Sequence, residues 1–131
     1  MYACPVFIEG GLYPTVENAY QALKFSDPKI RMQIADMTPI QAKQFAKDNP
    51  IDDLSDFDRL VIMYRVLSIK FLGNRSMMKL LLNTENAELI EGNNQNDTFW
   101  GVYNDNGLNH LGRMLMNIRG QIIVNVRGDI L

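Results

Sequence analysis

Four residues near the N-terminus have the types and the spacing of a chemical site. Glu17, Tyr20, Gln21 and Lys24 stand at i, i+3, i+4 and i+7, which places all four on one side of a helix. A carboxylate can transfer protons, and a lysine whose amine is neutral can act as a nucleophile. An ordinary solvent-facing stripe would show the same spacing, so the pattern alone leaves both interpretations open.

A second polar group lies nearer the C-terminus. Glu91 and Asp97 bracket an asparagine-rich loop, and Trp100 and Gly101 close it. Asn109 follows near the predicted start of a helix, where N–H groups that lack an intrahelical partner can bind phosphate or carboxylate. The indole of Trp100 offers a flat face on which a base can stack. The alternative is structural: Trp100 as a core anchor, with Asp97 and Asn109 as turn and cap residues.

The helices that must position the first group are marked by their caps. Thr15 is a good N-cap, and Glu17 in the first turn suits the positive end of the helix. Asp27-Pro28 predicts a second short helix that runs to about Ala35, because proline is favoured at the first helical position. Thr38-Pro39 predicts a third helix, in which Gln41 completes a capping box.

Longer apolar patterns follow. Ser55 is the predicted cap of a long helix that ends before Gly73 and forms the centre of the core. A further helix from about Arg75 is expected to be largely buried. A final helix is predicted from about Leu108, although its residues 122–124 fit a strand equally well. The apolar positions expected to be buried in the long helix are Phe57, Leu60, Val61, Tyr64, Leu67 and Phe71.

The predicted β structure is small. Val6-Phe7-Ile8 is expected to form a short strand with a turn at Gly10-Gly11, and Leu89-Ile90 another short strand. Together with the helices this predicts a mainly α, or α+β, fold with a small β element. The chain of 131 residues is long enough for one self-sufficient domain and shows no linker or repeat.

Composition excludes several classes of protein. The net charge is −2 and no basic run occurs, so an extended nucleic-acid surface is not expected. The chain has one cysteine and one histidine, which excludes an internal disulfide and the paired spacing of a zinc site. No apolar stretch reaches the roughly 18 residues of a membrane helix. We therefore predict a cytoplasmic protein without membrane association, metal or cofactor.

Five separated blocks of the chain resemble the YbiA-like, or NADAR, N-glycosidases in order and spacing. Together the blocks span about Pro5 to Arg119, nearly the whole chain. They are Tyr13–Phe25, Met63 with Lys70-Phe71, Leu89-Ile90-Glu91, Asp97 with Phe99-Trp100-Gly101, and Gly107 with Asn109, Leu111-Gly112, Leu115-Met116 and Ile118-Arg119.

This resemblance implies a cofactor-independent hydrolase that cleaves the bond between ribose and an exocyclic amine. It implies Glu17, Lys24 and Asp97 as catalytic residues. Cleavage can proceed through an oxocarbenium-like transition state stabilised by the carboxylates or through an imine formed on Lys24. The residues implied in substrate binding are Tyr20, Glu91, Trp100, Gly101, Asn109, Gly112 and Arg119.

The resemblance leaves the substrate open between two small molecules. ADP-ribose joined to guanine is placed slightly ahead of a phosphorylated ribosylaminopyrimidine intermediate of riboflavin synthesis. The family usually has a strand before Pro5, expected to be missing here, and a tryptophan where this chain has Ser55. The alternative function is a non-catalytic module that binds ADP-ribose or a related nucleotide.

Overall fold

Eight regular elements form the described part of the chain. The structure is a computed structural model that describes residues 4–51, 53–93 and 97–130, the last five of these as backbone alone. Six helices and one two-stranded sheet in these ranges confirm the mainly α prediction. In chain order the elements are β1 (Val6–Ile8), β2 (Gly11–Tyr13), α1 (Val16–Leu23), α2 (Pro28–Ala35), α3 (Pro39–Asp48), α4 (Asp56–Leu72), α5 (Arg75–Leu82) and α6 (His110–Ile130).

The chain divides into two compact units, Met1–Lys70 and Phe71–Leu131, and each is described by itself. The first unit begins with an antiparallel hairpin in which Val6 pairs with Tyr13 and Ile8 with Gly11. The predicted strand is confirmed, but its turn lies one residue earlier than expected. Glu9 and Gly10 have φ of 49° and 80° and make the turn, whereas Gly11 already belongs to β2.

The predicted caps of α1, α2 and α3 are all confirmed. The Thr15 hydroxyl accepts a hydrogen bond from the Asn18 N–H, the Asp27 carboxylate accepts one from Lys29, and Thr38 and Gln41 cap each other reciprocally. Helices α1, α2 and α3 contribute to one apolar core with the inner face of the hairpin. The buried members of this core are Val6, Ile8, Tyr13, Ala19, Ala22, Leu23, Phe25, Ile34, Ala42 and Val66.

A buried polar side chain fixes α1 against the end of α2. Asn18 is fully buried, and its Nδ2 donates to the carbonyl oxygens of Ile34 and Met37 at 2.9 and 2.8 Å. Its Oδ1 accepts the hydroxyl of Thr15 at 2.6 Å. Each polar atom of this amide is thus used inside the protein, which orients α1 and the polar residues that it carries.

Helix α4 has the predicted bounds, and of its predicted buried positions Leu67 and Phe71 are confirmed. Ser55 caps it through the N–H of Asp58 at 3.1 Å. Phe57 and Val61 are 73% and 41% exposed, so their predicted burial is wrong. Two positions correspond to roughly 200° of rotation about a helix, so Val61 faces away from Met63. The residues of α4 that are buried are Met63, Val66, Leu67 and Phe71.

In the second unit, the burial of α5 and the strand expected at Leu89-Ile90 depart from the predictions, and the open question about residues 122–124 is answered. Helix α5 buries Met77 and Leu81, whereas Leu80 is 39% exposed, so the prediction of a largely buried helix is wrong. Residues 122–124 belong to α6 and not to a strand. The strand expected at Leu89-Ile90 is also wrong, because this backbone is held by a side chain described below and not by a neighbouring strand.

None of the helices in the described ranges is both long enough and apolar enough to cross a membrane.

Candidate active site

The polar stripe of α1 is not a solvent-facing surface. Tyr20 and Gln21 are 2% and 5% exposed, and Glu17 and Lys24 at the two ends of the stripe are half-buried. Lys24 is the C-cap residue of the helix, and its Nζ lies 4.6 Å from the centre of the Tyr20 ring. The stripe therefore borders the core of the first unit, where carboxylate and amine groups can have altered proton affinities.

The surroundings of Lys24 disfavour the charged form of its amine. Burial lowers the pKa of Lys24, and the positive charge of Arg59 lowers it further, whereas Glu17 acts in the opposite direction and Lys43 lowers it again. The net result is a pKa below the ordinary lysine value. A fraction of the amine that is neutral at working pH can attack an electrophilic carbon.

The same surroundings favour an anionic ligand. Arg59 on α4 and Lys43 on α3 are close enough to Lys24 for their charges to act on it. Arg59 also forms an ion pair with Asp56, so Lys24, Arg59 and Lys43 lie near two carboxylates, those of Glu17 and Asp56. The net excess of one positive charge attracts phosphate groups. Neither cation was predicted from the sequence, because helical spacing reveals neighbours on one helix and not on another.

Asp97 shapes the loop that carries Trp100. Its Oδ1 accepts the N–H groups of Phe99 and Trp100 at 3.1 and 2.9 Å, and its own N–H donates to Asn93 Oδ1 at 3.0 Å. This is the turn role that the sequence left open as an alternative. The catalytic role implied by the family resemblance stays a prediction.

Trp100 is half-buried and packs edge-to-face on Phe99, with the ring centres 4.8 Å apart. Phe99 in turn contacts the ring of His110, also at 4.8 Å between centres. The indole is thus supported on one side by a small aromatic group while part of its surface stays accessible. A partly accessible, supported ring is suited to stacking on a planar ligand.

The first N–H groups of α6 already donate hydrogen bonds to backbone carbonyl groups of the chain. The N–H groups of His110 and Leu111 donate to the carbonyl oxygens of Phe99 and Trp100 at 3.3 and 3.0 Å. The expectation that the first N–H groups of this helix bind a ligand anion is wrong for these two. They attach the Trp100 loop to the helix instead.

Asn109 connects two stretches of backbone. Its Nδ2 donates to the Leu89 carbonyl oxygen and its Oδ1 accepts the Glu91 N–H, both at 2.9 Å. Its backbone is in the left-handed region, with φ of 52°, which asparagine tolerates better than most residues. We call this arrangement the Asn109 clamp. The substrate contact predicted for Asn109 stays a prediction.

At both predicted site glycines, Gly101 and Gly112, another stretch of backbone approaches too closely for a side chain. A Cβ at Gly101 would lie 2.2 Å from the Glu91 carbonyl oxygen, and one at Gly112 would lie 2.1 Å from the Leu89 carbonyl oxygen. Both glycines therefore pack against the 89–91 segment, which the Asn109 clamp also holds. Their requirement for glycine is explained by packing inside this unit.

Replacing Gly112 with alanine is expected to lower the free energy of unfolding by about 1–3 kcal/mol, because the new methyl group would overlap backbone that cannot move without opening the clamp. Urea denaturation measures the change. Gly120→Ala is the matched control on the same helix, since nothing lies within 4 Å of its Cβ position. That control should gain about 0.5–1 kcal/mol from the better helix former. Equal effects at the two positions would contradict the packing explanation.

The surroundings of Glu91 disfavour the charged form of its carboxyl group. Although the residue as a whole is exposed, partial burial of its carboxyl group raises its pKa, and the negative charge of Asp97 raises it further. A raised pKa keeps the carboxyl protonated to higher pH, as general acid catalysis requires. The substrate-binding role predicted for Glu91 is not tested by this geometry.

An open cleft of about 410 Å³ lies beside Glu91 and Gly112 in the second unit. Its walls are mostly apolar. The buried Arg119 donates from its Nη1 to the hydroxyl of Thr84, one of the lining residues, at 2.8 Å, so this predicted binding residue connects α6 to the residues that follow α5. The lining residues are Phe71, Leu80, Leu81, Thr84, Glu88, Leu89, Ile90, Glu91, Gly112 and Leu115.

The predicted site residues thus fall into two groups. Glu17, Tyr20 and Lys24 lie together on one side of α1 in the first unit. The other seven belong to the 89–91 segment, the Trp100 loop and the start and middle of α6 in the second unit. They are Glu91, Asp97, Trp100, Gly101, Asn109, Gly112 and Arg119. In the described ranges, no cluster of three or more histidine, cysteine or acidic residues could hold a metal ion.

Comparison with known proteins gives a consistent family. The NADAR domain matches residues 3–123 of the chain. N-glycosidase YbiA of Escherichia coli (strain K12) is 33% identical over 121 residues, which cover 89% of this chain and 75% of that protein. N-glycosidase Npun_R5314 of Nostoc punctiforme is 35% identical over 121 residues, covering 87% and 77%.

Two further matches extend this comparison. Riboflavin biosynthesis protein VVA0006 of Vibrio vulnificus is 32% identical over 123 residues, which cover 90% of this chain but 33% of that longer protein. The NMR structure of the E. coli protein YbiA matches the fold with a TM-score of 0.81 at 32% identity, covering 94% of this chain and 75% of that one.

Proposed function

The chain belongs to the NADAR domain family and is a hydrolase that acts on N-glycosyl bonds, and we propose that its substrate is a phosphorylated ribose joined to an exocyclic amine. The observation that carries the proposal is the pair of Glu17 and Lys24 on α1, with a lysine pKa lowered by burial and by Arg59. A carboxylate and an amine whose charged form is disfavoured, two turns apart, suit a glycosylamine, which can open its sugar ring to an imine. In this proposal residues 1–131 act as one NADAR domain.

The lowered pKa supports a route through Lys24. The neutral amine adds to C1 of the ring-opened imine, and the exocyclic amine leaves with a proton supplied by Glu17. Water then adds to the lysine iminium, which releases the ribose aldehyde and restores the amine. In the other route, Glu17 assists departure of the amine from the closed ring through an oxocarbenium-like transition state, and water adds to C1.

Two substrates have this chemistry. ADP-ribose joined to guanine carries a diphosphate and a second ribose, and it suits a chain that has Ser55 where family members have a tryptophan. A phosphorylated ribosylaminopyrimidine carries a single phosphate, and two relatives are named riboflavin biosynthesis proteins. The positive charge of Lys43 and Arg59 beside Lys24 supports a phosphorylated ligand in either case.

Incubation of the purified protein with each substrate, followed by mass spectrometry of the released base, tests the proposal. We expect free base and the corresponding ribose product from at least one substrate. A non-catalytic binding module would instead show ligand-induced stabilisation of about RT ln(1+[L]/Kd) with no product. Stabilisation without product over many hours would therefore replace the hydrolase with the binding module.

Trp100 is expected to stack on the base or on the adjacent ribose. Trp100→Ala should weaken ligand binding by about 1–3 kcal/mol, the usual range for a base–aromatic contact, whereas Trp100→Phe should keep much of the affinity. Calorimetric titration with ADP-ribose measures both variants. If the alanine variant loses stability while its folded fraction binds normally, Trp100 is a packing residue and the stacking role is wrong.

A further inference from the structure

Two amide side chains are buried on α1, and their polar atoms are satisfied very differently. All polar atoms of Asn18 are engaged by Thr15, Ile34 and Met37, as described above. Gln21 is 5% exposed, and its Oε1 is buried with no hydrogen-bond partner among the described residues. One amide therefore serves the fold, whereas the other has an acceptor that the fold does not use.

An unused buried acceptor is costly. Burying such a group without a hydrogen bond costs about 1–3 kcal/mol, and the great majority of buried polar atoms in proteins have a partner. A methionine or leucine at position 21 would fill similar space without that cost. The unused oxygen of Gln21 thus calls for an explanation outside the packing of α1.

Its position on the helix supplies one. Gln21 stands four residues after Glu17 and three before Lys24, so it shares their side of α1 and lies within about 6 Å of each along the helix axis. A ligand atom held between the carboxylate and the amine is then within reach of the Gln21 side chain. The cations Lys43 and Arg59 suit the phosphate of such a ligand, whereas an acceptor oxygen requires a donor group.

We propose that Gln21 is a substrate-binding residue whose amide oxygen accepts a hydrogen bond from the ribosylamine part of the substrate. The donor is either a ribose hydroxyl or the N–H of the glycosidic amine. This inference rests on the proposed function, because it takes the group bound between Glu17 and Lys24 to be the ribosylamine. This hydrogen bond would position C1 of the sugar. It would also stabilise the complex, because the Gln21 oxygen gains a partner only when the substrate binds.

The proposal predicts opposite effects on stability and on activity. Gln21→Met removes the unused acceptor at similar length, so the Tm of the free protein should stay the same or rise. Its kcat/KM on the ribosylamine substrate should fall about 10- to 100-fold, since the substrate donor is then buried without a partner. Asn18→Met is the contrasting variant on the same helix: it should lower Tm, because the carbonyl groups of Ile34 and Met37 lose their donor, whereas Gln21→Met should not lower it.

Binding of ribose 5-phosphate shows whether the donor to Gln21 is a ribose hydroxyl or the N–H of the glycosidic amine. This probe has the hydroxyl groups but no glycosidic amine. If a hydroxyl is the donor, Gln21→Met reduces the ligand-induced rise in Tm. If the amine is the donor, that rise is unchanged while kcat/KM still falls. Wild-type kcat/KM in Gln21→Met overturns the proposal. If this variant does not fold, Gln21→Asn, which withdraws the oxygen by one methylene, is judged by the same criteria.

A failure of the proposed function gives a different result. The wild-type protein would then release no base from either ribosylamine substrate. Gln21 is in that case judged by ribose 5-phosphate binding alone, and equal stabilisation of the wild type and Gln21→Met overturns its role as a ligand-binding residue. A smaller rise in Tm for Gln21→Met keeps that role.

Discussion

Replacing Glu17 with glutamine should reduce kcat by on the order of 10²-fold or more. Glutamine keeps the size and hydrogen-bonding reach of the side chain but can neither donate nor accept the proton of the leaving amine. Two observations support this expectation: Glu17 is half-buried in the first turn of α1, and its charge acts on Lys24, where it partly offsets the lowering of the lysine pKa. Release of base under saturating substrate measures the change.

A second carboxylate in the first unit serves as a control. It shows whether an effect comes from losing any negative charge or from losing the carboxylate of Glu17. Asp36 is exposed at the C-terminal end of α2, and Asp36→Asn should leave kcat unchanged. Thermal unfolding of both variants checks that they are folded. Wild-type turnover in Glu17→Gln would remove Glu17 from the mechanism and leave proton transfer to other groups.

Replacing Lys24 with arginine should nearly abolish turnover while substrate still binds. Arginine keeps the positive charge, but its guanidinium does not lose a proton at working pH and cannot form an imine with the ring-opened sugar. Borohydride added during turnover of the wild type should trap a covalent sugar adduct, which peptide mass spectrometry should place on Lys24. Lys29, exposed in the first turn of α2, is the matched control, and Lys29→Arg should turn over normally.

The pH dependence follows from the direction of the Lys24 pKa shift. Burial and the charge of Arg59 lower this pKa, so kcat should rise with pH as the amine loses its proton, with a midpoint below the ordinary lysine value. Stability changes in the same direction. Because the ammonium is disfavoured in the folded state, the unfolded state binds more protons, and the free energy of unfolding rises with pH through this range.

Turnover by the Lys24→Arg variant would contradict the imine route. Lys24 would then act only as a positive charge that binds phosphate.

The helix starts were predictable because caps are local. Thr15, Asp27 and Thr38 each bond a backbone N–H two or three residues ahead, so the sequence of one turn contains the whole interaction. The stripe on α1 was predictable for the same reason, because i+3 and i+4 neighbours are set by the helix itself. The spacing alone did not decide between a chemical site and a solvent-facing surface. The family resemblance indicated the chemical site.

Interactions between distant segments were not predictable in this way. Which face of α4 is buried depends on the elements packed against it, and there Phe57 was assigned wrongly. The strand expected at Leu89-Ile90 does not form, because the side chain of Asn109 bonds that backbone from 20 residues away. The charges that lower the Lys24 pKa come from α3 and α4, and the unused acceptor of Gln21 is visible only once every neighbour has been placed.

The Asn109 clamp has a consequence for the motion of the second unit. It closes a loop between residues 89–91 and 109 with two hydrogen bonds from one side chain, so opening the loop requires both bonds to break together. Hydrogen exchange can detect such a local opening separately from global unfolding. The Glu91 amide proton is held by that side chain, and its exchange with solvent deuterium therefore reports how often the clamp opens.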